Sequence, residues 1–547
     1  MTGLIKEVLD KVRRGAQRTP VLDVLNTITR HHRIQGSSGL ESALKDLQDL
    51  LGREGYSTKL VEVPSDSGKG FMDTPISWDV EDAYLKISMN NEIVEEYSFT
   101  GHPTLLAAHS PSGEGCGQLS LCGEKCSGDV VIARGPAYEA YMKADARLVL
   151  VYDPKRYVDA VPYTGLFLHS SEIKDKVVMN IPYKTALRVL AYLFENPSRK
   201  VEVCWEARSR YTGRPMHALV ACNNWSEPGV LLVSHICHPK PGAHDNASGS
   251  TANYVAAVAS ITAKLDIPLC YAWVPEYTGT VYLDEVFSHP PLGVINLDMV
   301  GSKQWATGST LNIVNTPLYM ESRVTRYTYI AVKAVFDTAS SFGGFNLPGA
   351  RYSLSPYTAG SDHDVFLSWG IDTVMLNEWP SKYYHTDMDT VETLSPRSIT
   401  DTAVASLTAA YLFYNNYKAE WITRVFDDYL KSWYALEAAK TGFESSLEGI
   451  SKILEERGRL KPGEMEKLKS PISTRRLREI LGFNEYRRLS EIKGAVSYLS
   501  LYAPLAYING LEDYRELFKL ENLVKWKREE EELLEKSWVL VRDTLLK

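Results

Sequence analysis

The sequence has no run of about 18 consecutive apolar residues, which is the length that a membrane-spanning helix needs. Its first segment, MTGLIKEVLDKVRRGAQ, carries charges throughout and lacks the uninterrupted apolar core of a signal peptide. These absences predict a cytoplasmic protein that has no membrane among its partners.

A basic excess is also absent, because 68 Asp and Glu residues outnumber 60 Lys and Arg residues, for a net charge of -8. Global electrostatics therefore give no reason to expect nucleic acid as a partner. Glutamine is scarce whereas Lys, Glu, Arg and Tyr are plentiful, a bias that is typical of thermophiles.

Cysteine is sparse, since the 547 residues include only seven, and that number is odd. In a large chain without a secretion signal this argues against a disulfide framework, so we expect reduced thiols. Cys116, Cys122 and Cys126 lie close together, but their spacing is irregular for a metal site. We interpret this segment as a loop that contains reduced cysteines.

The length of the chain favours about three domains, and the pattern of the sequence changes at three places. Residues 1–64 predict two or three helices and then an edge strand, while 65–211 are rich in short strands and predict an inserted domain. In 212–420 apolar strands alternate with helices, and 421–547 are almost wholly helical. The predicted fold class is α/β: a mostly parallel or mixed sheet covered by helices, made of 1–64 and 212–420, with a β-rich insert and a helical C-terminal domain.

Imidazole and carboxylate groups follow the predicted strands of 212–420. His235 ends the strand GVLLVSH, and Asp245 follows in a glycine-containing turn before a helix. Glu276 follows LCYAWVP, Asp298 follows GVINL, and His385 lies in YYHTDMDT. Open α/β sheets place their sites at the carboxyl ends of strands, and zinc takes nitrogen and oxygen ligands. The sequence therefore predicts a metal site at this edge of the sheet.

Four motifs of this region, in order, resemble those of the clan MH zinc aminopeptidases, a superfamily that includes glutamate carboxypeptidase II and the transferrin receptor. The resembling segments are HDNASG, VINLDMVG, SDHDVFLSWGIDTVML and YYHTDMDTVETL. The segment HICHP is closer still to a less-studied branch of that superfamily. GDVVIARG, YEAYMKADARLVLVYD and IPYKTALRVL resemble a protease-associated domain, which in relatives helps to wall the substrate cleft.

The resemblance implies roles for the residues that match the motifs. His235, Asp245, Asp298 and His385 correspond to metal ligands, with Asp245 bridging two zinc ions, and Glu276 corresponds to the general base. The cofactor would be one or two zinc ions, for which cobalt or manganese could substitute. The C-terminal helices would form a homodimer, as they do in glutamate carboxypeptidase II.

Two positions depart from the superfamily pattern. Tyr277 stands where a second glutamate usually binds the second metal, so that metal's site is weakened, absent or rebuilt from elsewhere. Cys237 stands where an aspartate usually orients the metal-binding histidine, and His238 follows it at once. His238 is thus an alternate to His235 as a ligand, and His238, Glu378 and Glu285 are candidates to replace the missing glutamate.

The favoured function is a metal-dependent aminopeptidase that acts on peptides with a free N-terminus, using metal-activated water and Glu276 as base. One alternative is a receptor-like or scaffold protein with a degenerate site, which the departures at Tyr277 and Cys237 favour. Another is a single-zinc acyl transferase similar to glutaminyl cyclase, for which one metal would suffice.

Two further segments left alternatives open. SPISTRRLREILGFNEYRRL has basic residues on a helix face, which we interpret as solvated charge on a packing helix rather than a helix-turn-helix. LPGARYSLSPYTAG, just before SDHD, is either part of the wall of a substrate pocket or a packed loop.

Overall fold

The computed structural model describes residues 3–122, 126–195, 199–442 and 460–545. At its centre lies a mixed eight-stranded sheet, here called the site sheet. Its strands, in spatial order, are Thr58–Val63, Met216–Cys222, Leu269–Val274, Val230–His235, Gly293–Asp298, Asp372–Trp379, Thr310–Val314 and Tyr352–Ser355. The four central strands, from Leu269–Val274 to Asp372–Trp379, are parallel, so their carboxyl ends meet at one edge. Three of these strands are buried along their whole length, which is why their sequences are continuously apolar rather than alternating.

Helices pack against the site sheet, and several begin at the caps that the sequence supplies. Ser37, Ser322 and Ser395 each accept a hydrogen bond from a backbone N–H of the following helix. The helices of this part are Leu4–Ala16, Val21–Thr29, Ser38–Arg53, Gly249–Thr262, Gln304–Thr307, Arg323–Phe336, His363–Ser368 and Pro396–Tyr414. The predicted α/β class with a mixed sheet flanked by helices is confirmed, including the edge position of the N-terminal strand. The strands Thr310–Val314 and Tyr352–Ser355 were not predicted.

The block predicted as an insert forms a second sheet of seven strands, here called the insert sheet. Its strands, in spatial order, are Glu92–Ser98, Ser77–Met89, Val201–Thr212, Gly113–Leu121, Val130–Arg134, Leu148–Tyr152 and Val177–Asn180. The helices Ala137–Lys143 and Tyr183–Glu195 accompany it, and its apolar side chains form two clusters separate from the main core. Its assignment as a protease-associated domain stays a prediction. A short hairpin, Ser67–Lys69 with Met72–Thr74, lies just before it in the chain, and a second small hairpin pairs Ala339–Ser340 with Asn346–Leu347.

The C-terminal region is helical and packs onto the site-sheet region. The helices that the structure describes are Ala419–Thr441, Thr474–Leu481, Phe483–Ser490, Ala495–Ser497, Ala503–Ile508, Tyr514–Glu521 and Arg528–Leu545. Their buried side chains belong to the same apolar core as the site sheet; for example, the Tyr319 hydroxyl donates to the Tyr502 carbonyl. Dimerisation through these helices stays a prediction. Among the described residues, no helix is both long and apolar enough to cross a membrane.

The cysteines correct one expectation. Six of them pair as Cys116–Cys204, Cys122–Cys126 and Cys222–Cys270, and only Cys237 is free. The expectation of reduced thiols was therefore wrong for these six. The register of the sheets explains why: Cys116 lies opposite Cys204, and Cys222 opposite Cys270, on neighbouring antiparallel strands. Pairs that lie 88 and 48 residues apart in sequence cannot be recognised from spacing alone.

Candidate metal centre

The predicted ligand residues converge at the carboxyl edge of the four parallel strands. His235 and Asp298 are the last residues of their strands, and Glu276 follows the neighbouring strand by two residues. Asp245 lies in the distorted turn that precedes the helix Gly249–Thr262. His385 lies in the loop after Asp372–Trp379, so all five predicted residues are brought together.

One group of these side chains surrounds a point next to Asp245 Oδ1 and is here called the strand half. His235 Nε2 lies 3.2 Å from Asp245 Oδ1 and 3.4 Å from Asp298 Oδ1. A carboxylate oxygen of Glu276 lies within 4.8 Å of the ligand atoms of His235 and Asp298. The carboxylates of Glu276 and Asp298 and the imidazole of His235 thus lie close together, with Asp245 beside the imidazole.

A second group surrounds the other oxygen of the same carboxylate and is here called the loop half. Asp245 Oδ2 lies 3.3 Å from His238 Nε2 and 3.1 Å from His385 Nε2. Asp245 therefore offers one oxygen to each half, which is the arrangement of a carboxylate that bridges two metal ions. The structure does not bring Glu378 or Glu285 into either half.

The donor atoms fit metal ions better than they fit each other. Among the described residues, neither His238 Nε2 nor Asp298 Oδ1 has a hydrogen-bond partner, although both are buried. Buried polar atoms are rarely left in that state. Tetrahedral zinc with bonds of about 2.0–2.1 Å separates its nitrogen and oxygen ligands by about 3.3 Å, which is close to the spacings of both halves.

Tyr277 does not occupy the position of a metal ligand. Its backbone φ is +57°, its N–H donates to Asp362 at 2.7 Å, and its hydroxyl donates to Asp364 at 2.5 Å. The phenol is thereby held by Asp364. The third side chain beside Asp245 and His385 is the imidazole of His238. Of the two histidines that the sequence left as alternatives, His235 lies in the strand half and His238 in the loop half.

The pKa values of His235 and His385 are shifted in opposite directions. Although burial opposes it, the nearby Glu276, Asp245 and Asp298 raise the pKa of His235 well above its ordinary value. Burial lowers the pKa of His385 to about 4, so that its ring is neutral. Burial also raises the pKa of Glu276 well above its ordinary value, and the carboxylates Asp298, Asp362 and Asp245 add to this.

A fully buried arginine holds the loop that carries His238. The Arg33 side chain makes no ion pair among the described residues and donates instead to backbone carbonyls, those of Ile28, His31, Ile236, Pro241 and Gly242. The backbones of Arg33 and His238 also exchange two hydrogen bonds of 2.9 Å. The guanidinium of Arg33 is therefore bound by carbonyls on both sides of His238 in the chain, which nothing in the sequence had indicated.

Contacts from Gln35, Cys237 and Asp389 fix the rest of the centre. Cys237 Sγ accepts the N–H of Glu276 at 3.1 Å, and the Gln35 amide donates to the carbonyl of Glu276 at 3.0 Å. Asp389 accepts the N–H groups of His244 and Asp245 at 2.8 and 2.9 Å. Glu378 lies behind the centre, where its carboxylate is 3.2 Å from His244 Nε2 and accepts the N–H of Ser302.

The centre opens into a cavity of about 770 Å³ with walls from three parts of the chain. The insert contributes Tyr138 and residues 165–167, and the C-terminal helices contribute residues 472–475 and Arg478. Ser355, Thr358, Ala359 and Gly360 line it as well, so the aromatic-rich segment before SDHD belongs to the wall. Arg475 and Arg478, two arginines of the segment interpreted as solvated charge, line this cavity, which the sequence did not predict.

Residues 283–410 match the model of peptidase family M28. This stretch of the chain is therefore similar to the M28 peptidases. The matched stretch includes Asp298 and His385, whereas His235, His238, Asp245 and Glu276 precede it. No protein with a curated description matches the chain.

The chain is also similar to solved structures of low sequence identity. A peptidase M28 precursor from Shewanella amazonensis SB2B is 12% identical, with a TM-score of 0.52 over 75% of this chain and 96% of its own. BSAP, a zinc aminopeptidase from Bacillus subtilis, is 18% identical, with a TM-score of 0.49 over 72% and 94% of the two chains. An aminopeptidase from Aneurinibacillus sp. strain AM-1 is also 18% identical, with a TM-score of 0.47 over 73% and 95%.

Proposed function

We propose that this protein is a zinc-dependent aminopeptidase that uses two metal ions, one in the strand half and one in the loop half. The observation that carries the proposal is the carboxylate of Asp245, which offers one oxygen to each of two sets of buried ligands. The M28 match supports peptidase chemistry. The preference for the N-terminal residue rests on the resemblance of the four sequence motifs to zinc aminopeptidases.

Zinc at these positions would polarise the scissile carbonyl and make water a nucleophile at neutral pH. The protein's own contribution centres on Glu276, which takes a proton from the attacking water and returns it to the leaving amine. Its backbone is held from both sides, by Cys237 and Gln35, so the carboxylate keeps a fixed position.

Metal loading and substrate release test the proposal directly. Chelator-treated protein is reloaded with zinc, cobalt or manganese and incubated with peptides that have either a free or an acetylated N-terminus. We expect release of N-terminal residues from the free peptides alone, detected by mass spectrometry. Cleavage of the acetylated peptides as well would contradict aminopeptidase specificity. Absence of cleavage with every metal would contradict peptidase function and would support the scaffold alternative. Ammonia release from a peptide with N-terminal glutamine would instead support acyl transfer.

The Glu276→Gln variant tests the assignment of the base. Loss of a general base costs about 10²- to 10⁴-fold in rate, so kcat should fall by this amount while the overall fold persists. Glu285→Gln is the matched control, because Glu285 pairs with Lys69 near the surface and lies outside both halves. An unchanged kcat in Glu276→Gln, at equal metal content, would contradict the assignment.

A further inference from the structure

The cavity wall formed by the C-terminal helices carries two arginines with different surroundings. Both Arg475 and Arg478 belong to the helix Thr474–Leu481, and both line the cavity that contains the metal-ligand residues. No other described helix of residues 419–545 places an arginine in this cavity.

Arg475 is already neutralised within the protein. Its Nη2 lies 2.5 Å from a carboxylate oxygen of Glu172, and its Nη1 donates to the carbonyl of Phe167 at 3.0 Å. Its Nε lies 3.5 Å from Glu479 and 3.9 Å from Asp73, the acidic residue on the same wall of the cavity. Arg475 therefore links the C-terminal helix to the insert and to the preceding hairpin.

Arg478 has no such partner. Among the described residues it makes no ion pair, and its side-chain hydrogen bond is a long one of 3.4 Å to the Thr474 hydroxyl. Its Nε is buried without a hydrogen-bond partner. A guanidinium carries five donors in a planar fork that matches a carboxylate, and here most of them are unused.

The Arg478 guanidinium is also held in place. Its Cζ lies 5.4 Å from the ring centre of Tyr138 in the insert and 5.2 Å from that of Tyr486 in the next helix. Such contacts with aromatic rings fix the orientation of the planar group before a ligand arrives. A cation that is oriented, faces a cavity and lacks a counter-charge is suited to bind an anionic group of a ligand.

Apolar side chains line the cavity together with these polar groups. Met72, Phe167 and Ile472 contribute to its wall near the hairpin, the insert and the C-terminal helices. A peptide that extends from the metal-ligand residues across such a wall would bury uncharged parts of its chain. A carboxylate of this peptide could then bind the unpaired guanidinium of Arg478.

We propose that Arg478 binds a carboxylate of the substrate, so that the cleft selects short peptides with a free C-terminus or peptides with an acidic side chain beyond the scissile bond. This inference rests on the proposed peptidase function and adds its substrate class. Arg478 is a specificity-determining residue in this proposal, and the insert takes part through the ring of Tyr138.

The first experiment changes only the substrate. The zinc-loaded wild-type protein is given peptides of two to five residues as C-terminal acids and as C-terminal amides, and amides that contain Asp or the matching Asn. We expect kcat/KM to be about tenfold or more higher for one carboxylate-bearing series than for its neutral partner, because a charge-assisted hydrogen bond is lost. A difference between C-terminal acids and amides would show that the C-terminal carboxylate is bound. A difference between the Asp and Asn peptides would show that a side-chain carboxylate is bound.

The second experiment changes the residue. Arg478→Gln should hydrolyse the carboxylate-bearing and neutral peptides with nearly equal kcat/KM, and Arg478→Lys should restore part of the preference. Arg476→Gln is the matched control, because Arg476 lies on the same helix, pairs with Glu479 at 2.8 Å and does not line the cavity. It should keep the wild-type preference.

Failure of this inference can be distinguished from failure of the proposed function. Equal kcat/KM of the wild type for every acid and neutral pair would overturn the role of Arg478 while leaving the aminopeptidase intact. A preference that Arg478→Gln retains would overturn it too. No hydrolysis of any peptide would instead contradict the proposed function. The substrate comparison needs no variant, so misfolding of Arg478→Gln cannot rescue the inference.

Discussion

The strand half and the loop half of the centre use the same bridging carboxylate but are built differently. His235 and Asp298 end strands that are each paired along their whole length with one neighbouring strand, so the sheet fixes the backbone of both residues. His238 and His385 lie in loops, and His385 itself has a backbone φ of +53°. Loops of this kind keep a fixed shape only where other parts of the molecule hold them.

Those other parts lie far away in sequence. Arg33, from the N-terminal segment, holds the loop of His238. The insert holds the loop of His385, because the N–H of Tyr163 donates to the carbonyl of His385 at 2.7 Å and that of Val161 donates to Asp387 at 3.0 Å. The strand half is therefore positioned by the site sheet, whereas the loop half depends on the segments that surround it.

The largest effect is expected where the two halves meet. Asp245→Asn removes the charge that both share, so both metals should be lost and hydrolysis should fall by about a thousandfold or more. Elemental analysis after gel filtration and the peptide assay measure the two effects. Retention of one full equivalent of zinc by Asp245→Asn would show that one half binds zinc without the shared carboxylate, which would contradict this expectation.

A smaller and selective effect is expected from His238→Ala. The loop half loses one of its ligands, whereas the strand half keeps His235, Asp298 and one oxygen of Asp245. Zinc titration by calorimetry should therefore show one strong site in place of two. His235→Ala is the matching variant of the strand half. Loss of both zinc sites in His238→Ala would mean that the two halves cannot bind zinc independently.

Arg33→Met tests whether the loop half depends on its surroundings. Loss of the guanidinium leaves buried carbonyls without donors, so we expect a lower melting temperature and a loop-half zinc affinity reduced about 10- to 100-fold. The strand half should change less. Arg30→Met is the control, since Arg30 is exposed and pairs with Asp46. Equal weakening of both zinc sites would argue against a local role for Arg33.

The smallest effect concerns the opposite edge of the site sheet, where the buried carboxylate of Asp372 accepts hydrogen bonds from Ser322, Arg323 and Val324. Burial raises the pKa of Asp372 to about 6. A carboxyl group with a raised pKa stabilises the fold when protonated, and this contribution is lost as the pH rises through about 6. The stability of the wild type relative to Asp372→Asn should therefore fall between pH 5 and pH 7 in denaturant titrations. A difference that stays constant over this range would contradict the raised pKa.

The sequence predicted much of the strand half because its signals are local. Continuous apolar runs followed by His235, Asp298 and Glu276 indicate buried parallel strands and what lies at their ends. The loop half was harder, since the contribution of His238 depends on a contact with Arg33 across about 200 residues. The role of Tyr277 depends on Asp364, two of the disulfides depend on strand register, and the cleft arginines depend on how the C-terminal helices pack. None of these contacts leaves a pattern in the neighbouring sequence.

The hydrogen bonds of Arg33 to the loop 236–242 also constrain the order in which the protein can assemble. They join residues that are 203 to 209 positions apart, and the insert lies between them in the chain. During synthesis the N-terminal segment must wait until the insert and the strand Val230–His235 have emerged before it can dock. A separate fragment of residues 212–420 would contain every ligand side chain but would lack Arg33 and the insert. Such a fragment should capture metal at His235 well before it can organise His238 and His385.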